Sequence, residues 1–176
     1  RQRYWVELQT PGQITASRRS SWQATVEAGN YEAMRGPLDL AIESHPARWD
    51  ALNRLALAYM VQALRQMGFF AHSGDTLSAE SILARGQINP TYQGLMKRWL
   101  EKLAEAGYLT TSASVGYTAQ QPLPEIDAHT ILQEVRVLHK DGPHMPNYME
   151  RCGHALVNIL KGVESPLDTL FPGGSY

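Results

Sequence analysis

One stretch, residues 47–67, constrains the fold more than any other. Trp49, Leu52, Leu55, Ala56, Tyr59, Ala63 and Met67 recur every three or four residues, the spacing that aligns side chains along one face of an α-helix. Leu57, Met60, Val61 and Leu64 widen that stripe around most of the circumference. A helix apolar nearly all round belongs at the centre of its domain. Pro46 suits the first turn, where a missing N–H costs nothing, and Gly68 follows as a stop. Such a helix needs partners to surround it, so the expected fold is mainly α.

The remaining residues supply those partners. A short helix is predicted over 24–35, interrupted by Pro37, and Gly74-Asp75-Thr76 reads as a turn. Ser78 is an N-cap for a helix over 78–84, and Asn89-Pro90 opens another over 90–106. Tyr92, Leu95, Met96, Trp99, Leu100 and Leu103 form the inner face of that second helix. Tyr108, Leu109, Val115 and Tyr117 flank a Thr/Ser/Gly-rich centre, as in a short β-hairpin or wing. Residues 120–124 read as a linker, and Asp127 caps a helix reaching 139. A last long helix is expected over 147–161, with Tyr148, Cys152, Leu156, Ile159 and Leu160 inside. Ser165-Pro166 starts a final helical turn through 170, and Phe171-Pro172-Gly173-Gly174 is a loop. Residues 1–22 carry breakers and β-formers without a helical period and read as an extended leader or linker. That leaves 23–176 as the helical domain.

From 55 to 117, the order helix, short helix, longer helix, hairpin is that of a winged-helix unit. Nucleic-acid binding would require a basic face. The helix over 90–106 offers Lys97, Arg98 and Lys102 against Glu101 and Glu105, and the whole chain carries sixteen basic and seventeen acidic residues. Helical packing or dimerisation is therefore the favoured role of this unit, and no nucleic-acid partner is expected. No apolar run approaches the ~20 residues that cross a bilayer, so no membrane partner is expected. Cys152 is the single cysteine, so no intrachain disulfide forms and a reducing, cytoplasmic setting is expected. The chain opens on Arg1 rather than Met, as a piece of a longer protein would.

Two ends of the sequence carry a resemblance. Arg1-Gln2-Arg3-Tyr4-Trp5 is similar to the close of the linker that follows the acyltransferase domains of modular polyketide synthases. Glu150-Arg151-Cys152-Gly153-His154-Ala155-Leu156, Leu160-Lys161-Gly162 and the run from Ser165 through Ser175 resemble a stretch just before their methyltransferase cores. Leu52-Asn53-Arg54-Leu55-Ala56, together with Trp99 through Leu109, looks like the helical part of the same domains. The resemblance implies a post-acyltransferase linker over 1–22, then the N-terminal helical lid of an S-adenosylmethionine-dependent methyltransferase over 23–176. It further implies a downstream methyltransferase core, an acyl carrier protein with its phosphopantetheine arm, and the preceding acyltransferase linker as partners. The lid would cover a site where a methyl group passes to carbon or oxygen of a tethered acyl chain. A non-catalytic dimerisation module (a homodimer) or a carrier-docking module is the rival reading, with a winged-helix DNA-binding regulator behind it.

A nucleotide-type cofactor site needs a strand, a Gly-rich turn and a following acidic residue, because backbone N–H groups must approach the cofactor closely. The only paired glycines are Gly173-Gly174, near the end of the chain. No cofactor is expected in this chain, with S-adenosylmethionine held by the complete domain. No catalytic residue is expected here either. Among the histidines, His139 and His144 flank Lys140-Asp141-Gly142-Pro143 with no ligand pair at i+4, so no metal site is expected. His154 lies one turn from Glu150, as in a surface ion pair. Cys152 reads as buried and inert, and Trp49, Tyr59, Tyr92 and Trp99 as core. The residues named for substrate contact are Phe171 and Tyr176, in the segment that leads on from the last helical turn.

Overall fold

A computed structural model describes residues 18–35, 42–112 and 116–171. The chain divides into two units, Arg1–His45 and Pro46–Tyr176. Within the first, helix α1 (Arg18–Arg35) starts inside the stretch expected to be extended. The breakers Pro11, Gly12, Thr15 and Ser17 all precede it, and Thr25 ties its hydroxyl back to the Ser21 carbonyl at 2.8 Å. Trp22, Val26, Tyr31 and Met34 are all exposed on α1. Their uneven spacing makes no stripe. The Arg1-Gln2-Arg3-Tyr4-Trp5 segment lies outside the described residues.

The second unit is built on α2 (His45–Gln66), whose two halves serve two cores. Toward its start, Ala51, Leu55, Ala58 and Tyr59 pack with Leu132 and Val135. Toward its end, Val61 and Leu64 pack with Phe69, Phe70, Ile82, Met96, Leu100, Leu103, Leu109 and Leu123. This double duty explains why α2 is apolar around most of its circumference: different faces are covered at different heights. Trp49 departs from the expected core and is 59 % exposed. It lies just before Ala51, the first residue of α2 to be buried.

After α2 come β1 (Thr76–Leu77), α3 (Ala79–Gly86), α4 (Gln93–Glu105), β2 (Thr110–Ser112) and β3 (Gly116–Thr118). The strands form an antiparallel sheet in the order β1-β3-β2, pairing Leu77 with Tyr117 and Thr111 with Tyr117. This is a winged-helix-like unit with one strand more than expected. The Gly74-Asp75-Thr76 turn runs straight into β1, which at two residues is too short to show an alternating pattern. Gly116 is required at the wing: its φ is +126°, and a Cβ there would lie 2.5 Å from the Leu77 carbonyl oxygen. Val115 lies outside the described residues.

Local capping follows the sequence closely. Ser78 and Ser81 form a reciprocal capping box at 3.1 Å in each direction. Asn89 accepts from the Thr91 N–H at 3.0 Å, but the helix expected over 90–106 is split into a 3-10 turn, Pro90–Tyr92, and α4. Asp127 accepts from the His129 and Thr130 N–H groups and starts α5 (Ala128–Leu138). Helix α6 (His144–Leu160) begins three residues before the expected 147. Pro146 is tolerated there because first-turn N–H groups have no intrahelical acceptor. Ser165 caps α7 (Pro166–Leu170).

The segment between sheet and α5 ties the two cores together. Leu123 is buried, its N–H donates to the Phe70 carbonyl at 3.0 Å, and its carbonyl accepts from the Arg65 guanidinium. Gln62 donates to the Ile126 carbonyl at 2.9 Å, and the Asn89 N–H reaches the last carbonyl of α6, Leu160, at 2.8 Å. Leu156 packs against both cores.

Candidate functional site

An apolar recess of about 150 Å³ opens where α2, α4 and α6 meet. Ala56, Tyr59 and Met60 line it from α2, at spacings that share one helical face. Trp99 comes from α4, and Met149, Cys152, Gly153 and Leu156 come from α6. Ala56 and Met60 also line a wider concavity of about 480 Å³ with Asn53, Arg54, Leu57, Lys102, Glu105 and Ala106. The two hollows thus adjoin along α2, one apolar and one with a polar mouth.

The cations at that mouth are matched. Arg54 donates to Asp50 at 3.0 Å and to Glu134 at 2.5 Å. The hydrogen bond that Arg54 donates to Glu134, then the one it donates to Asp50, raises its pKa above the ordinary value, and the Arg54 guanidinium holds Glu134 below the usual carboxylate range. Lys102 pairs with Glu105 at 2.6 Å; away from the mouth, Lys97 pairs with Glu80 at 3.5 Å. At the back of the recess, burial pushes the Tyr59 hydroxyl up, with the charge of Glu150 adding to it. The Tyr148 hydroxyl is likewise raised, first by a hydrogen bond with Cys152.

Glu150 itself pairs with Arg136 of α5 at 2.7 Å. This corrects the expected Glu150–His154 pair: the guanidinium captures the carboxylate, and His154 is exposed. Cys152 is half-buried rather than fully buried, with Sγ 3.6 Å from the Thr169 hydroxyl. His154 borders a separate polar hollow of about 360 Å³ with Arg151, Glu164, Asp168 and Thr169. Among the described residues no group of three or more His, Cys, Asp or Glu side chains is placed to hold a metal ion. Likewise, no described helix is long and apolar enough to cross a membrane.

Phe171 ends α7, its N–H donating to the Leu167 carbonyl at 2.8 Å, and its side chain is 37 % exposed. Tyr176 lies outside the described residues. The recess was not read from the sequence. Its signal there is a pair of small residues on facing apolar helices: Ala56 leaves space among neighbours that otherwise carry Tyr, Trp and Met, and Gly153 admits the Tyr59 ring where a side chain would lie.

No family model matches the chain. Among curated proteins, it is 25 % identical over 126 residues to the non-reducing polyketide synthase pkbA of Emericella nidulans, covering 70 % of this chain and 5 % of that protein. Among solved structures, the CurJ carbon methyltransferase matches with a TM-score of 0.67 and 22 % identity, over 88 % of this chain and 40 % of that one. The DszA carbon methyltransferase matches at 0.62 and 25 % identity, over 76 % and 34 %. The CMeT domain of the citrinin polyketide synthase matches at 0.53 and 20 % identity, over 71 % and 33 %. The chain therefore spans at most two fifths of the solved structures it matches. Over most of its length it has the fold of a part of the carbon methyltransferase domains of polyketide synthases.

Proposed function

We propose that this chain is the N-terminal lid of a polyketide synthase carbon methyltransferase domain. The observation that carries the reading is the shared fold with three carbon methyltransferases, each matched over about two fifths of its length or less. The complete domain would move a methyl group from S-adenosylmethionine to the α-carbon of an acyl chain held on a carrier protein. Carbon is favoured over oxygen because the matched structures are carbon methyltransferases.

The described residues do not fit the cofactor. The direct strand-to-helix step, β1 into α3, carries the Ser78–Ser81 capping box, so the N–H groups of Ser78 and Ser81 already have acceptors. The strands are antiparallel and two or three residues long, unlike the parallel strand and Gly-rich turn that cradle a nucleotide. The lid's part is to bind, orient and exclude water, which accelerates a reaction without a catalytic group of its own. The apolar recess beside Ala56, Met60 and Leu156 offers a wall for an aliphatic segment. Phe171 and Tyr176 are proposed at the edge that meets substrate.

The winged-helix-like unit is proposed as a packing element. Two of the three cations on its second helix, Lys97 and Lys102, are paired with carboxylates, which removes much of the field that phosphate recognition requires. The test is methyl transfer by the complete domain to an acyl carrier protein substrate, read by mass spectrometry. A product heavier by one methyl on carbon is expected. Absence of transfer under conditions where the domain binds S-adenosylmethionine would contradict the reading.

A further inference from the structure

We infer that the outer face of α7 is the surface on which the remainder of the methyltransferase domain docks, an inference that rests on the lid reading. α7 is seated on α6 by its opposite side. Thr169 is buried there, its carbonyl accepting from Arg151 Nε at 3.2 Å and its hydroxyl lying 3.6 Å from Cys152 Sγ. Leu167 and Leu170 stand three residues apart, on the face turned away from Thr169. They are 61 and 49 % exposed, and Val163, just before α7, is 72 % exposed.

Single exposed apolar side chains are ordinary, but a cluster on one short element marks an interaction surface. Here it is concentrated on a five-residue helix whose other side is already covered by α6. The occupant follows from the comparisons: in the CurJ carbon methyltransferase this fold covers 40 % of the chain, so a body half again as large lies outside it. The polar side of the same hairpin, with Arg151, His154, Glu164 and Asp168, is a poor match for such an apolar contact. The face of Leu167 and Leu170, with Val163 before it, is the matching one.

The experiment uses the complete methyltransferase domain carrying either Leu167→Cys or Val137→Cys, labelled with a maleimide and read site by site by peptide mass. Val137 is a comparably exposed apolar residue, at 73 %, on α5. Leu167→Cys should react about tenfold more slowly than Val137→Cys, because a covered thiol reacts only through local opening. Equal rates would overturn the inference. Should Leu167→Cys prevent folding, hydrogen exchange on the unsubstituted domain decides: α7 amides that exchange as slowly as those of α6 support docking, and amides that exchange as in an exposed turn overturn it. Methyl transfer is measured on the same samples. A slow-labelling domain that binds S-adenosylmethionine yet transfers no methyl group would remove the lid reading while leaving the docking face intact.

Discussion

The α-carbon of Gly153 on α6 rests against the ring of Tyr59 on α2, with no room between them for a Cβ. That approach sets how closely the two helices cross and forms one wall of the apolar recess. Gly153→Ala should therefore destabilise the fold by about 1–3 kcal/mol, the usual cost of forcing extra volume into a packed interface. Gly94→Ala on α4, where a Cβ meets nothing within 4 Å, should be neutral or stabilising, since alanine is the better helix former. Denaturant melts of the two variants give the comparison, and equal midpoints would contradict the tight crossing.

Leu55 and Leu100 are fully buried, one in each core. Changing either to Ala should cost about 2–5 kcal/mol. Leu156 is half-buried but touches both cores, so Leu156→Ala should cost less than either while lowering the cooperativity of unfolding. Melting curves followed by circular dichroism check both points.

Much of this was legible in advance, for reasons that differ by element. α2, α4, α5 and α6 announce themselves through apolar residues at helical spacing, and Ser78, Asn89, Asp127 and Ser165 mark helix starts by chemistry that acts within three residues. Four features were not legible, because each depends on distant partners. β1 is two residues long and exists only through pairing with β3. The exposure of Trp49 depends on where neighbouring helices stop covering α2. Glu150 has His154 one turn away, but Arg136 is fourteen residues distant in sequence and takes the carboxylate. The recess was hidden for the same reason, since Ala56 and Gly153 are nearly a hundred residues apart.

Asp127 and Glu134 are among the carboxylates that should titrate low. Asp127 is held below its ordinary value first by the Thr130 hydroxyl and then by backbone N–H donors, and Glu134 first by Arg54. A depressed folded pKa gives stability that is present above the unfolded value and is lost as pH falls through the folded one. Stability should therefore decline on acidification below the ordinary carboxylate range. Carboxyl NMR titration should show both midpoints beneath those of unfolded peptides, and Asp127→Asn and Glu134→Gln should each flatten the decline. A midpoint at the unfolded value would show that the cap or the ion pair is absent in solution.

Phe171 separates two roles. In the complete domain, Phe171→Ala should lower methyl transfer while leaving the melting temperature nearly unchanged, because a displacement of about 1 Å in a bound acceptor can cost ~100-fold in rate. Turnover and melting temperature measured on one preparation check this. Lost stability with unaltered turnover per folded molecule would make Phe171 a structural staple and not an edge of the site.

The proposed lid is the cofactor-free part of a carbon methyltransferase, and calorimetric titration of S-adenosylmethionine into the 176-residue chain and into the complete domain checks this. Saturable binding by the complete domain and no heat of binding from the 176-residue chain are expected. Saturable binding by the chain alone, or none by the complete domain, would contradict the proposal.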